Sequence, residues 1–294
     1  MSDEKSLKYN EPWILQRADP YVYRHTDGSY YFTASVPAYD GIVLRRAGSL
    51  AELSGAEEVM VWKKHESGPM SYHIWAPEIH YLFGKWYIYF AGGEAEDIWK
   101  IRPYVLECSG DDPLTDEWVE LGKMKRAAED EFSFEAFSLD ATVFENKGEY
   151  YCVWAEKVGV GKMISNLYIA KMESGNQLKT VQVLLTTPDY DWERKGFWVN
   201  EGPAVIHHDG KLFLTYSASE TGVDYCVGML SIDEDADLLD PRLWKKERYP
   251  VLKTCEKLGI YGPGHNSFTM DEDGNDVMVY HARTEAVING DPLY

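Results

Sequence analysis

Positive charge is scarce in this sequence of 294 residues, where 29 Lys and Arg residues stand against 49 Asp and Glu residues and leave a net charge of −20. Proteins that bind phosphate backbones or anionic lipid surfaces do so through basic patches. The acidic excess therefore disfavours nucleic acid and membrane surfaces as partners. The sequence also lacks any apolar run that approaches the length of a membrane-spanning helix.

Cysteine is sparse as well. The four cysteines, Cys108, Cys152, Cys226 and Cys255, lie far apart and form no CxxC pair, so we expect reduced packing residues. The first residues, MSDEKSLKYNEPW, contain no basic segment followed by an apolar stretch, and no secretory signal is recognised there. Together these absences predict a cytoplasmic location.

Aromatic residues, by contrast, are plentiful, with 10 Trp and 21 Tyr. Their flat faces carry a polar edge and suit neutral, hydroxyl-rich ligands such as sugars. A small oligosaccharide is therefore the partner that the composition favours. The apolar content of 45% allows a large core, and a chain of this length can fold as one domain or two.

A repeat of about 60 residues runs through the chain. Each copy combines a short apolar strand, a polar turn that contains glycine, and a second strand rich in aromatic residues. Glycine or Asn at such turns supplies the positive φ angles of tight hairpins, so each copy predicts an antiparallel hairpin. The five copies are 57 to 64 residues apart and start at Asp19, Ala76, Asp140, Gly202 and Gly264.

Each copy has room for four short strands and their loops, which is the content of one propeller blade. The five copies therefore predict an all-β fold, a five-bladed β-propeller formed by residues 1–294 as a single catalytic domain. Few residues follow the last hairpin. We therefore expect residues 13–16 to add a strand to the last blade, since ring closure removes exposed sheet edges.

Carboxylates recur where the copies begin. Asp19, Asp140 and Glu201 stand at three of these starts, and His265 stands at the fifth. Because the first strand of every propeller blade lines the central channel, these side chains are expected to converge. Acidic residues are common near turns, but three carboxylates together indicate glycoside hydrolysis. One carboxyl protonates the departing oxygen, another acts on water or on the sugar, and a third can raise the pKa of the acid.

An ordered set of short motifs resembles glycoside hydrolase family 43. The motifs are Arg-Ala-Asp-Pro at 17–20, Ile-Trp-Ala-Pro-Glu at 74–78, Ser-Leu-Asp-Ala at 138–141, Asn-Glu-Gly-Pro at 200–203, Gly-His-Asn-Ser at 264–267 and Tyr-His-Ala-Arg at 280–283. The resemblance covers nearly the whole chain and implies a five-bladed enzyme that acts with inversion on α-L-arabinofuranosides or β-D-xylosides. Similar chains continue past the Gly-Asp-Pro-Leu stretch at 290–293, which implies that closing strands of the last blade are missing.

Carried onto the matching positions, the resemblance implies that Asp19 is the general base, Glu201 the general acid, and Asp140 the residue that orients Glu201 and tunes its pKa. The pattern is most similar to the exo-acting arabinofuranosidases of the family, which release terminal α-L-arabinofuranosyl residues. Exo action is also favoured because residues 94–103 and 111–137 are predicted as loops long enough to close a pocket. Inversion requires the base and the acid to lie about 6.5 to 9.5 Å apart.

Four further residues are predicted to bind the substrate. Trp75 and Phe137 stand beside copy starts and are expected to stack on the sugar or wall the pocket, with core packing as the alternative. Arg283 is expected to hydrogen-bond a sugar hydroxyl or keep a carboxylate ionised. His265 is expected to face the channel, where the resemblance allows a water-mediated contact to a calcium-type ion or a structural role. No cofactor is expected to be required, since the sequence has no HExxH motif or paired Cys/His spacing.

Three alternatives stay open. A β-D-xylosidase of the same fold would differ in loop shapes that a sequence does not display. A retaining hydrolase of fructosides would share an Asp-Pro start and a Glu-Cys pair, which Glu107-Cys108 resembles, but this Glu falls inside a predicted strand. A non-catalytic carbohydrate-binding propeller would have no use for a cluster of mutually repelling carboxylates.

Overall fold

A computed structural model describes residues 11–159 and 161–287, and these residues form an all-β structure, as predicted. Helical segments in this part of the chain are short 3-10 turns, and none is long and apolar enough to cross a membrane. The turns are Ala51–Gly55, Asp191–Glu193, Pro241–Leu243 and Glu256–Leu258. The expectation that closing strands of the last blade are missing after residues 290–293 concerns a part of the chain outside the described residues.

The first two sheets each contain four antiparallel strands in sequence order. The first sheet consists of β1 (Ala18–Arg24), β2 (Tyr30–Ser35), β3 (Gly41–Ala47) and β4 (Val59–Lys63). The second sheet consists of β5 (Tyr72–Leu82), β6 (Lys85–Glu94), β7 (Asp97–Cys108) and β8 (Val119–Lys123). Each sheet therefore corresponds to one copy of the sequence repeat.

The third and fourth copies share a nine-stranded sheet. The third contributes β9 (Ser138–Asn146), β10 (Glu149–Gly159), β11 (Met163–Ser174), β12 (Gln177–Leu178) and β13 (Val183–Thr186). The fourth contributes β14 (Trp198–His208), β15 (Lys211–Ala218), β16 (Cys226–Asp233) and β17 (Lys245–Lys246). They join through a short parallel pairing of β11 with β14. The fifth copy forms a hairpin of β18 (Tyr261–Met270) and β19 (Asp276–Arg283).

All five predicted hairpins are present as antiparallel pairs of β1 with β2, β5 with β6, β9 with β10, β14 with β15 and β18 with β19. Each turn holds a glycine with φ between 75° and 90°, a conformation that L side chains rarely adopt. The first strands also pack in a cyclic order: β1 contacts β5 and β18, β9 contacts β5 and β14, and β14 contacts β18. Residues at distant copy starts thus become neighbours.

The first strand of every hairpin has an irregularity in its pairing at the same place. The residue at this bulge has a left-handed φ between 42° and 55°; these residues are Asp19, Ala76, Asp140, Gly202 and His265. A bulge turns the adjacent side chains to a new direction and is frequent beside active sites. Because four of the five are not glycine, the surrounding structure must hold them in a disfavoured conformation.

Buried side chains fill the spaces between neighbouring sheets. Ile42 of the first sheet packs in one cluster with Ile88 of the second, and Tyr89 of the second sheet packs in another with Trp154 of the third copy. All four cysteines are free and three are buried in such clusters, as predicted. Packing between the sheets thus fixes the relative positions of the first strands.

Residues 13–16 do not form the predicted strand. Gln16 has a φ of 56°, which interrupts an extended conformation. Trp13 and Ile14 instead pack against a cluster of buried side chains around Val22 and Phe32 of the first sheet, and Val277 and Val279 of β19 pack against the same cluster. The segment and the last hairpin thus share one apolar cluster without the predicted strand pairing.

The two segments predicted as long loops also differ from each other. In residues 94–103, β6 continues to Glu94 and β7 begins at Asp97, so only a two-residue turn separates the strands. That prediction of a loop is wrong, because the alternating pairing of β6 and β7 continues to Glu94 and Asp97. Residues 111–137 contain only the short strand β8 and otherwise lack regular strands, as expected.

Candidate active site

The bulges bring the predicted carboxyls together at the ends where the first strands begin. The Nδ1 atom of His265 lies 3.1 Å from Oδ1 of Asp19 and 3.9 Å from Oδ2 of Asp140. The backbone N–H of Gly202 donates to Oδ2 of Asp140 at 3.0 Å, which places the neighbouring Glu201 beside the same group. Asp19, Asp140 and His265 each occupy a bulge position. Glu201 instead directly precedes the bulge residue Gly202.

Asp19 is held as an ionised carboxylate. Burial by itself would raise its pKa, but the charge and hydrogen bond of His265, with a contribution from His281, lower the pKa of Asp19 well below its usual range. Ser35 Oγ also donates to Oδ2 of Asp19. The Asp19 side chain is 16% exposed, so water can reach this carboxylate. Asp19 therefore has the charge and the access that a general base needs.

Two imidazoles beside Asp19 have different charge states. Burial disfavours the charged form of His265, but Asp19 and Asp140 outweigh burial and raise the pKa of His265 to about 10. Burial lowers the pKa of His281, whose Nδ1 accepts a hydrogen bond from the N–H of Asp19 at 3.0 Å. At neutral pH the site thus contains a cationic His265 and a neutral His281.

Asp140 and Glu201 are held towards their protonated forms. Burial raises the pKa of both carboxyls, and the negative charge of Asp19 raises both further. The charge of Glu201 also opposes ionisation of Asp140. Two buried carboxyls that oppose each other's ionisation titrate as a coupled pair and at higher pH than a free carboxyl. The site therefore combines an ionised carboxylate with a carboxyl pair that can donate a proton.

Tyr225 is a site residue that the sequence did not indicate. Its hydroxyl donates to Oε1 of Glu201 at 2.8 Å, and its ring stacks on His281 with centroids 5.8 Å apart. A Cβ atom at Gly264 would come within 2.2 Å of the Tyr225 ring, so this glycine is needed for the ring's position. Tyr225 directly precedes β16 and is remote from the copy starts. No repeated position could therefore have identified it.

Lys157 of β10 is a second residue that the sequence did not indicate. Its positive charge lowers the pKa of Glu201, in opposition to burial. Its Nζ atom lies 3.7 Å from the centroid of the Phe137 ring. Phe137 thus supports the lysine that faces Glu201, a contact that composition and spacing do not display.

The residues predicted to bind substrate lie in or beside this group. Trp75 and Phe137 are partly buried and pack against one core cluster. Trp75 precedes Ala76, whose N–H donates to Ser35 Oγ at 2.7 Å. Arg283 is buried, and its charge helps to lower the pKa of His281. Their roles in binding stay predictions.

Within residues 11–159 and 161–287, no group of three or more His, Cys, Asp or Glu side chains is arranged to hold a metal ion. The nitrogen of His265 that faces the carboxylates is engaged by Asp19 at 3.1 Å. A cationic His265 already supplies positive charge at this place. The expectation that no cofactor is required, and that of a calcium-type ion near His265, stay predictions.

A carboxylate held ionised beside two carboxyls with raised pKa values provides the two protonation states that inverting glycoside hydrolysis requires. Residues 9–293 match the family described as glycosyl hydrolases family 43. The crystal structure of an α-L-arabinofuranosidase from Lactobacillus brevis is 51% identical, with a TM-score of 0.89 over 97% of this chain and 89% of that one. The chain belongs to glycosyl hydrolases family 43.

Two relatives are named extracellular exo-α-(1→5)-L-arabinofuranosidase. The one from Streptomyces avermitilis is 50% identical over 98% of this chain and 59% of its own length. The one from Streptomyces chartreusis is 48% identical over 97% of this chain and 85% of its own length. The prediction of a cytoplasmic location is wrong, because such similar relatives are extracellular proteins. The lack of a recognisable signal in the first residues misled that prediction.

Proposed function

We propose that this protein is an inverting, exo-acting α-L-arabinofuranosidase that releases terminal α-L-arabinofuranosyl residues from arabino-oligosaccharides. The names of the relatives support the sugar and the exo mode of action. The proposal rests on the carboxyl cluster, where His265 lies 3.1 Å from Asp19 and lowers its pKa while burial raises the pKa of Asp140 and Glu201. Inverting hydrolysis needs one ionised base and one protonated acid in the same site.

The proposed architecture is a five-bladed β-propeller in which residues 1–294 form a single catalytic domain. Five hairpins, five equivalent bulges and the cyclic packing of the first strands support it. The parallel pairing of β11 with β14 would then join two neighbouring blades along part of their length. In this arrangement the candidate active site lies at one end of the central channel.

In the proposed reaction, Asp19 accepts a proton from a water molecule as the water oxygen bonds to the anomeric carbon. Glu201 donates its proton to the glycosidic oxygen as the bond from that oxygen to the anomeric carbon breaks. His265 and Ser35 keep Asp19 ionised and oriented, while Tyr225 fixes the carboxyl of Glu201. Asp140 accepts a hydrogen bond from the N–H of Gly202, the residue after Glu201, and the charge of Glu201 opposes the ionisation of Asp140.

The proposed partner is a small neutral oligosaccharide. A net charge of −20 supports such a ligand over nucleic acid or a membrane surface. No metal is included in the proposed mechanism, since a cationic His265 already balances the carboxylates. Full activity after exhaustive treatment with a chelator is the expected result, and activity restored only by added calcium would contradict it.

The test of the reaction compares hydrolysis of nitrophenyl α-L-arabinofuranoside and β-D-xyloside by the wild type, Asp19→Asn and Glu201→Gln. We expect preference for the arabinofuranoside, inversion detected by NMR of the first product, and rate losses of about 10²- to 10⁴-fold in both variants. Preference for the xyloside would favour the β-D-xylosidase alternative. Hydrolysis of neither compound, or of any arabino-oligosaccharide, would favour the non-catalytic propeller.

Glu107→Gln is the matched control for the acid. Glu107 accepts hydrogen bonds from Lys85 at 2.6 Å and from Tyr87 at 2.9 Å, on β7 and outside the carboxyl cluster. Its replacement should leave the rate within about twofold of the wild type, since it removes no group that the proposed reaction uses. A loss as large as that of Glu201→Gln would favour the retaining, fructoside-type alternative.

A further inference from the structure

Three aromatic rings contact one another beside the candidate active site and are called here the stack. The centroid of the His73 ring lies 4.2 Å from that of Trp75 and 5.2 Å from that of Trp99, and the two indole centroids are 6.4 Å apart, so the three tilted rings form a compact triangle. Trp99 is 60% exposed, so its ring presents the stack to solvent. Trp75 is anchored at the site, because Ala76, which follows it, is linked through Ser35 to Asp19.

The backbone that carries Trp99 is braced on several sides. The N–H of Ala95 donates to the buried hydroxyl of Ser71 at 2.7 Å, and Glu94 pairs with Lys100 at 2.8 Å. A Cβ atom at Gly93 would lie only 2.8 Å from the carbonyl oxygen of Ile98, so the two strands approach closely here. A surface that is rigid before a ligand arrives loses little entropy on binding.

The chemistry of the stack suits a sugar and not an ion. Burial lowers the pKa of His73, so its ring is neutral near pH 7. Tyr72, 40% exposed, extends the aromatic surface with its ring centroid 4.4 Å from that of His73. A contiguous, uncharged aromatic surface can cover the C–H groups of a furanose ring. The Glu94–Lys100 pair at its edge offers polar atoms to sugar hydroxyls.

We propose that the stack of His73, Trp75 and Trp99 binds the part of a linear arabino-oligosaccharide that follows its terminal unit, while the terminal unit lies at the carboxyls. This inference rests on the proposed function and adds a role for Trp99. The stack favours substrates of three units over those of one. The tight β6–β7 turn, which replaces the predicted loop, contributes to this because Trp99 is the third residue of the strand that follows it.

The first experiment compares arabinotriose with α-L-arabinofuranosyl fluoride, a substrate whose leaving group carries no sugar. For Trp99→Ala, the ratio of kcat/KM on arabinotriose to kcat/KM on the fluoride should fall about tenfold relative to the wild type, through loss of ring stacking. Phe83→Ala is the matched control, since Phe83 is 41% exposed in the β5–β6 turn, at the opposite end of the same sheet. An unchanged ratio for Trp99→Ala, or an equal fall for Phe83→Ala, overturns the inference.

The second experiment separates failure of the stack from failure of the proposed reaction. Binding of arabinotriose and of arabinose is titrated by calorimetry in Glu201→Gln and in Glu201→Gln/Trp99→Ala. We expect tighter binding of the trisaccharide, and loss of most of that difference when Trp99 is removed. This result would support the stack even if the wild type hydrolysed neither substrate. Equal affinities for both sugars in Glu201→Gln, or a difference that survives Trp99→Ala, would overturn the stack.

Discussion

Tyr225 contacts both the proposed acid and a residue that holds the proposed base. Its hydroxyl holds Glu201, while its ring lies against His281, which in turn accepts the hydrogen bond from the N–H of Asp19. The hydrogen bond stabilises the ionised form of Glu201 and so opposes the effect of burial on its pKa. Tyr225 is therefore a positioning residue that also limits how far the pKa of the acid rises.

Tyr225→Phe should raise the pKa of Glu201, because the ionised carboxylate loses a donor. The basic limb of the pH profile of kcat/KM should move to higher pH, and kcat should fall about tenfold as the carboxyl loses its orientation. Steady-state kinetics between pH 4 and about 10 measure both effects. In Tyr89→Phe, which loses a buried hydrogen bond to Gly175 outside the site, the pH profile should keep its position. A profile that does not move in Tyr225→Phe would show that the tyrosine has only a structural role.

At the residue scale, the convergence of side chains could be predicted where a position repeats. Asp19, Asp140, Glu201 and His265 could be found because each stands at the start of a copy, and the structure brings all four together. Three further residues reach the same site from elsewhere in the copies. Ser35 and Lys157 lie on second strands, and Tyr225 lies directly before β16. Their neighbours in sequence carry no common pattern, so only the folded chain reveals them.

At the scale of elements, the 3-10 turn Asp191–Glu193 is tied to the sheet that carries Glu201. Glu193 is fully buried and accepts hydrogen bonds from Asn200 and Tyr216, each at 2.9 Å. Lys246 of β17 neutralises it at 2.9 Å. Since Asn200 directly precedes Glu201, this buried pair supports the backbone of the proposed acid.

Lys246→Met should lower the free energy of unfolding by about 3–5 kcal/mol, because the buried carboxylate of Glu193 loses its counter-charge. Urea denaturation at pH 7 measures the loss. Lys245→Met is the matched control: Lys245 is 76% exposed and pairs with Glu247 at the surface, so its replacement should change stability by less than about 1 kcal/mol. Recovery of stability in Glu193→Gln/Lys246→Met is expected, and equal losses for the two lysine variants would contradict this explanation.

The hairpin strands were predictable from glycine-containing turns and alternating apolar runs. The predicted antiparallel pairing is present in all five copies. The exceptions have local causes. Residues 94–103 are polar enough to resemble a loop, yet β6 and β7 continue through them because their pairing extends to Glu94 and Asp97. Residues 13–16 are apolar enough to resemble a strand, yet the left-handed Gln16 prevents it.

At the scale of the whole molecule, the proposed acid should lower stability near neutral pH. Burial raises the pKa of Glu201 in the folded protein above its value in the unfolded chain. Below the unfolded pKa the carboxyl is protonated in both states and has no effect. As pH rises towards the folded pKa, the unfolded state ionises more readily, so folding loses free energy.

Glu201→Gln should therefore raise Tm, and the gain should be larger at pH 7 than at pH 4. Differential scanning calorimetry at the two pH values measures it. Glu107→Gln should do the opposite: burial alone would raise the pKa of Glu107, but Lys85 and Tyr87 lower it, so its carboxylate stabilises the fold above the unfolded pKa. A Tm gain in Glu201→Gln that is equal at both pH values would contradict the assignment of a raised pKa.

The sequence by itself determined the number of hairpins, the all-β class and the residues that carry the proposed chemistry, because turn glycines, apolar runs and repeated carboxylates are local features. Only the tertiary structure decided which charge each group holds. Protonation of Asp19, Glu201 and His265 depends on burial and on distances between atoms of different copies, and these exist only when the sheets have packed. The exposure of Trp99 likewise depends on strand pairing that no local pattern records.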